Sequence, residues 1–122
     1  MKKRIEKYLP DAIDIISKTG IANSNNEVDS KFNGYFSSLG AAMVLSGIKP
    51  ALAFYSNTKT TKERVKILQA IYRLVIDNKD DVKENELLHY YIEHEDEPML
   101  KYKIIDAATA LKLAIRTYKF KD

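Results

Sequence analysis

The side chains able to carry acid–base or metal chemistry gather in one stretch of this sequence. Residues 77–100 hold nine Asp/Glu and both histidines of the chain, His89 and His94. The two imidazoles are five positions apart, so a helix does not bring them to one face. His89 and Glu93 share a face, but two ligands alone do not make a metal site. The run His94-Glu95-Asp96-Glu97 lacks the glycine and the ligand spacing of a calcium loop. None of these carboxylates sits in an apolar run that would raise its pKa to that of a general acid. Ser37 and Ser38 lie in a helical stretch without the glycines of a nucleophile elbow. The four glycines, at 20, 34, 40 and 47, are too scattered to cradle a phosphate. With no cysteine, thiol nucleophiles, thiolate zinc sites and disulfides are excluded. The expectation is a protein that is not an enzyme and takes no cofactor and no metal.

Positive charge is better organised. Between Lys59 and Arg73, the cations and amide Lys59, Lys62, Lys66, Gln69 and Arg73 recur at spacings of three and four, opposite an apolar arc of Val65, Leu68, Ile71, Tyr72, Leu74 and Val75. Glu63 is the one acid in that helix, so the cations lack the i,i+4 partners of an ordinary solvated face. Arg64 falls inside the apolar arc and has to reach out past the core. Lys101, Lys112, Arg116 and Lys119 form a second, narrower band on the last helix. Such stripes neutralise phosphates without reading sequence. Lys62, Lys66, Arg73, Lys112, Arg116 and Lys119 are the candidate RNA contacts. The formal net charge of +3 conceals this arrangement: residues 1–76 carry +6, residues 77–100 carry −7 and residues 101–122 carry +4. Of the eight tyrosines, most fall at apolar helical positions and are expected in the core or at its rim rather than stacked on bases.

The elements that must position these residues are helical almost throughout. Ile5, Leu9, Ala12, Ile13 and Ile16 predict a helix over about 3–18, with Pro10 as a point of kinking or of later start, and Thr19-Gly20 as its end. Asn23-Ser24-Asn25-Asn26 reads as a loop. A second helix over about 30–46, with Asp29 as its cap, places Phe32, Phe36, Leu39 and Met43 on one face and the small residues Gly34, Ser37, Ser38, Ala41 and Ala42 on another. Gly47 ends it. A short helix starts near Pro50. Thr60 and Glu63 have the spacing of a capping box for the helix that runs to about Asp77. A short helix follows around 84–92, and Pro98 opens a last one to about Lys119. The fold class is thus all-α, a single-domain bundle of about five to six helices over residues 1–122. No apolar run follows Met1-Lys2-Lys3-Arg4 as in a signal peptide, and the most apolar stretch, Leu39 to Tyr55, is interrupted by Lys49 and Pro50, so a cytoplasmic protein without membrane contact is expected.

From Gly34 to Asn57 the chain reads GYFSSLGAAMVLSGIKPALAFYSN. This segment resembles the small subunit of the Cmr complex, the type III-B CRISPR effector. Tyr35 and Ser38 match that family's Tyr-Ser helix, and Ser46-Gly47-Ile48 stands where Asn-Gly-Leu is usual. Leu52-Ala53-Phe54 matches its short helix, with Ser56-Asn57 as the stop. Tyr102, Thr109-Ala110-Leu111 and Lys119-Phe120 are similar to its closing helix, which usually carries a tryptophan that this chain lacks. The resemblance implies a helical bundle without nuclease activity. Copies of it stack along the inner filament, beside the backbone subunits that hold the CRISPR RNA, and help to position the paired target RNA. The implied partners are the other Cmr subunits, copies of the chain itself and the CRISPR RNA–target RNA duplex. The acidic segment 77–97 could then meet the basic regions of the next copy. Two other classes of function stay open: a protein–protein adaptor docking through the small face of the second helix, with no nucleic-acid role, and a small hydrolase using His89 or His94.

Overall fold

Among the described residues, apolar side chains at helical spacing build six helices, which owe most of their stability to packing on their neighbours. The computed structural model describes residues 2–57 and 62–121. They form, in order, α1 (Lys2–Lys18), β1 (Glu27–Asp29), α2 (Lys31–Leu45), α3 (Ile48–Tyr55), α4 (Lys62–Val75), α5 (Glu86–Glu93), α6 (Leu100–Ile115) and β2 (Lys119–Lys121). The helical-bundle expectation holds. Lys59 and Thr60, and with Thr60 the capping box, lie outside the described residues.

The centre of the bundle is α6, which packs on α1, α2 and α4. Its sequence explains this. Ala107, Ala108, Ala110 and Ala114 are buried alongside Ile104, Leu111 and Ile115, so buried positions surround much of the helix. Alanine keeps the neighbouring axes close while the branched residues fill the gaps between them. Ala12, Ile15 and Ile16 of α1, Phe32, Phe36, Leu39 and Met43 of α2, and Ile67, Leu68 and Ile71 of α4 complete the same cluster. Each large aliphatic or aromatic side chain buried here contributes about 1.5–3 kcal/mol. Arg64 solves its position in the apolar arc by lying over the rings of Phe54, Tyr35 and Tyr55 at 5.2, 5.4 and 5.6 Å, which ties α4 to α2 and α3 through cation–π contact.

Several boundaries differ from the sequence expectation. Pro10 neither delays nor ends α1, which runs through it. Helix α3 begins at Ile48, which puts Pro50 in the first turn, where a missing N–H costs nothing. Gly47, at φ +97°, makes the sharp junction between α2 and α3. The N-cap of α2 is Ser30 rather than Asp29, but the Asp29 carboxylate, one residue earlier, accepts the Lys31 N–H at 3.0 Å. The final helix starts at Leu100 rather than at Pro98 and stops at Ile115. After a turn, residues 119–121 leave the helix and pair in parallel with β1, in the register Glu27–Lys119, Val28–Phe120 and Asp29–Lys121. Opposite charges face each other at both ends of this short ladder, and the Tyr118 hydroxyl donates to the Ile13 carbonyl at 2.6 Å, which anchors the turn.

Candidate nucleic-acid interface

The predicted stripe on α4 is only half open. Lys62 is exposed, and Lys66 is partly exposed with its ammonium 3.3 Å from the Gly20 carbonyl. The upper half is covered by the chain that follows the helix. Val82 is buried, and its carbonyl accepts the Gln69 side-chain N–H at 2.8 Å. Arg73 is 7% exposed, donates from Nε to Asn78 at 2.7 Å and stands 3.6 Å from the Asp80 carboxylate. Arg73 is therefore withdrawn from the candidate contacts. The loop that neutralises it folds back from beyond the end of α4, which the helical periodicity does not encode.

The second band is also rearranged. Lys112 lines a groove of about 330 Å³ between α2 and α6, with Phe36, Gly40, Ala41 and Ala108. Arg116 is exposed at the C-cap of α6. Lys119 is exposed but belongs to β2, not to a continued helix. That departure has a consequence for the charge. Strand β2 carries Lys121 into a concavity that Lys31 and Lys66 line together with Glu27, Asp29 and Glu63, and Lys66 and Lys62 line the adjoining one with Glu84. The start of α4 and the basic tail, separate in sequence, are thus neighbours. Lys31 is spent on Glu63 at 3.1 Å and Asp29 at 3.7 Å. Among the described residues, Lys62, Lys66, Lys112, Arg116, Lys119 and Lys121 form no ion pair. Lys121 escaped sequence reasoning because a three-residue strand leaves almost no periodic signal. The alternation Lys-Phe-Lys is its one trace.

The residues weighed for chemistry are placed differently. His89 is exposed on α5, while His94 caps that helix, stacks on Tyr90 with ring centroids 4.0 Å apart and has Nδ1 2.9 Å from the Tyr90 carbonyl. Among the described residues no three His, Asp or Glu side chains group closely enough to hold a metal ion. Three acids of this segment are occupied internally. Asp80 meets Arg73, Glu95 meets Lys49 at 3.0 Å and Glu86 meets Lys79. The Lys79 ammonium, with the Lys83 backbone N–H, holds the Glu86 carboxyl down to about 2 from its usual 4.5. Burial pushes the hydroxyls of Tyr55 and Tyr72 up, as befits core tyrosines. No helix of the described residues is long and apolar enough to cross a membrane.

No curated protein and no solved structure matches this sequence. A family model does: that of the CRISPR-associated proteins Cas_Cmr5, over residues 4–115. The match takes in α1 from Arg4 onward, the whole of α2 to α6 and the Gly34–Asn57 segment, stopping just before the turn into β2. On that extent of agreement the chain belongs to the Cas_Cmr5 family, the small subunit of the type III-B CRISPR Cmr complex.

Proposed function

We propose that this chain is a non-catalytic, RNA-contacting subunit that stacks with copies of itself along the inner filament of the Cmr complex in antiviral defence. In this reading it touches the backbone of the paired target RNA without reading its sequence. The observation that carries it is the proximity of Lys62, Lys66 and Lys121, which form no ion pair among the described residues although acids line the same concavities, with Lys119, Arg116 and Lys112 leading away along the tail and α6. Lysines free of close ion pairs among the described residues can reach phosphates, and sequence-independent contact suits a subunit repeated along any guide. The test is the assembled complex carrying Lys62→Glu and Lys66→Glu. Target-RNA affinity should fall, and the slope of log affinity against log salt should flatten by roughly 1–2, the share of two lost phosphate contacts. An unchanged affinity and slope would show the stripe to be an ordinary solvated face.

An adaptor reading has one observation in its favour. Most of the small face of α2 is not packed inside the bundle: Gly34, Ser37, Ser38 and Ala41 are exposed, while Ala42 is half-buried against the core, and a Cβ added at Gly34 or Gly40 would meet nothing within 4 Å. A protein partner could approach closely there. Complexes that form at high salt without RNA, and fail when Gly34 and Ala41 are enlarged to leucine, would put this reading first.

A further inference from the structure

Between the first turns of α1 and α6 lies a groove of about 170 Å³, built from residues separate from the surface just described. Arg4, Lys7 and Tyr8 line it from α1, and Met99, Tyr102 and Lys103 line it from α6 and the turn before it. Each trio has i, i+3, i+4 spacing, so each forms one helical wall. At its base is Asp106, 5% exposed, which accepts from Arg4 Nε at 2.7 Å. The Arg4 side chain is itself 47% exposed. A buried carboxylate holding Nε fixes the guanidinium plane, while the two terminal amino groups make no further ion pair among the described residues. The other arginines differ. Arg73 is buried, Arg64 lies over three rings, and Arg116 has no carboxylate anchor among the described residues. Arg4 is the one that joins an anchored guanidinium to an open surface. Lys7 and Lys103 stand on either side of it, also without an ion pair among the described residues.

The same groove exposes flat and apolar surface. Tyr102 is 49% and Met99 50% exposed, whereas the other seven tyrosines are buried or half-buried. Three cations beside an exposed ring and a thioether match a ligand that joins negative charge to a flat aromatic group. Single-stranded nucleic acid offers that combination in every nucleotide. A duplex keeps its bases stacked on one another and would leave Tyr102 unused, and an acidic peptide would satisfy only the cations. We propose that the α1–α6 groove binds a nucleotide of single-stranded RNA, with the phosphate on Arg4, Lys7 and Lys103 and the base against Tyr102 and Met99. This builds on the reading that the chain meets RNA and adds a second site. Lys103 is thirteen helical residues from Arg116, about 20 Å along the α6 axis. The groove would take an unpaired strand, and the surface of α4 and β2 the backbone of the duplex.

The experiment is an NMR titration of the isotope-labelled full chain with hexauridylate at low salt, following backbone amides and the arginine Nε–H signals. Arg4, Tyr8, Tyr102 and Lys103 should shift together. Tyr102→Ala should weaken binding about fivefold or more, the lower end of what one stacked base contributes, while Tyr102→Phe keeps it. Lys103→Glu, at an exposed helix position, should abolish the groove shifts without altering the remaining spectrum. Shifts confined to Lys62, Lys66 and residues 112–121 would overturn the groove site and leave the proposed function standing. Groove shifts that polyglutamate reproduces equally well, or that survive Tyr102→Ala, would identify a site for acidic protein instead and overturn the proposal. Absence of any shift at millimolar RNA would also overturn it, because the groove lies within one chain. The reading of the duplex-facing surface fails separately, in the assembled complex carrying the Lys62 and Lys66 substitutions.

Discussion

Arg73 and Lys62 lie on the same helix and on the same side of its helical wheel, yet they answer to different partners. Lys62 meets solvent, whereas Arg73 is held by Asn78 and Asp80 beneath the loop that follows α4. Removing Arg73 forfeits a hydrogen bond and an ion pair to groups that water can reach once the arginine is gone. Arg73→Ala should therefore cost about 1.5–3 kcal/mol of stability, the range for a hydrogen bond to a charged group, and leave the RNA affinity of the assembled complex unchanged. Lys62→Glu should do the reverse. Thermal denaturation of the isolated chain and salt-titrated RNA binding of the complex measure both sides of the contrast. A fall in RNA affinity for Arg73→Ala without loss of stability would return that arginine to the interface. The distinction was not legible in the sequence, because periodicity reports which residues share a side of a helix and not what later folds over that side. Arg4 teaches the converse. It was not among the candidates, since its anchor, Asp106, stands 102 positions away in sequence.

The elements were legible where their signals are local, and obscure where they depend on distant chain. The apolar arc of α4, the buried face of α2 and the loop at 23–26 follow from spacing and turn chemistry, and the structure keeps them. Helix α6 ends earlier than spacing predicts, at Ile115, although Arg116-Thr117-Tyr118 has nothing helix-breaking in it. What draws residues 119–121 out is pairing with β1, roughly ninety positions upstream. The segment after α4 is another such case, an acidic stretch that reads as solvated yet packs Val82 into the core and seals half of a basic helix. Its fastening at the next helix is Glu86, which meets Lys79 and accepts the Lys83 N–H at 3.0 Å. Because the Glu86 carboxyl is lowered in the folded chain, its contribution is present above the usual 4.5 and is lost as pH falls toward about 2. Glu86→Gln should therefore lower stability at neutral pH and flatten its decline between about pH 4.5 and 2. Parallel melts of the two proteins across that window test this, and curves that keep a constant offset from neutral pH down to pH 2 would assign the acid sensitivity to other carboxylates.

Over the whole molecule the charges separate along α4. The open cations Lys62 and Lys66 stand at the start of that helix and the acidic segment closes over its end, about 20 Å away for fourteen residues. Opposite charge at two distinct places would serve the head-to-tail stacking proposed above, since heterologous contacts whose rotation does not close build open filaments. Internal pairing narrows which acids are available for it. Glu95 is taken by Lys49, whereas Asp96 and Glu97 are exposed and form no ion pair among the described residues. At physiological salt, charges act over only about 8 Å, so any effect of these two must come from direct contact with a neighbouring copy. Reversing both, as Asp96→Lys with Glu97→Lys, should remove two exposed pairs worth together roughly 0.4–2 kcal/mol, up to about a thirtyfold loss in affinity between copies. Native mass spectrometry of the assembled complex should then show fewer copies of this chain. Reversing Lys119 and Lys121 to glutamate in the same protein should recover them if the basic tail is the other half of the contact. A full complement of copies with the acids reversed would refute charge-matched stacking, and would leave assembly to the apolar and small-residue surfaces of α2.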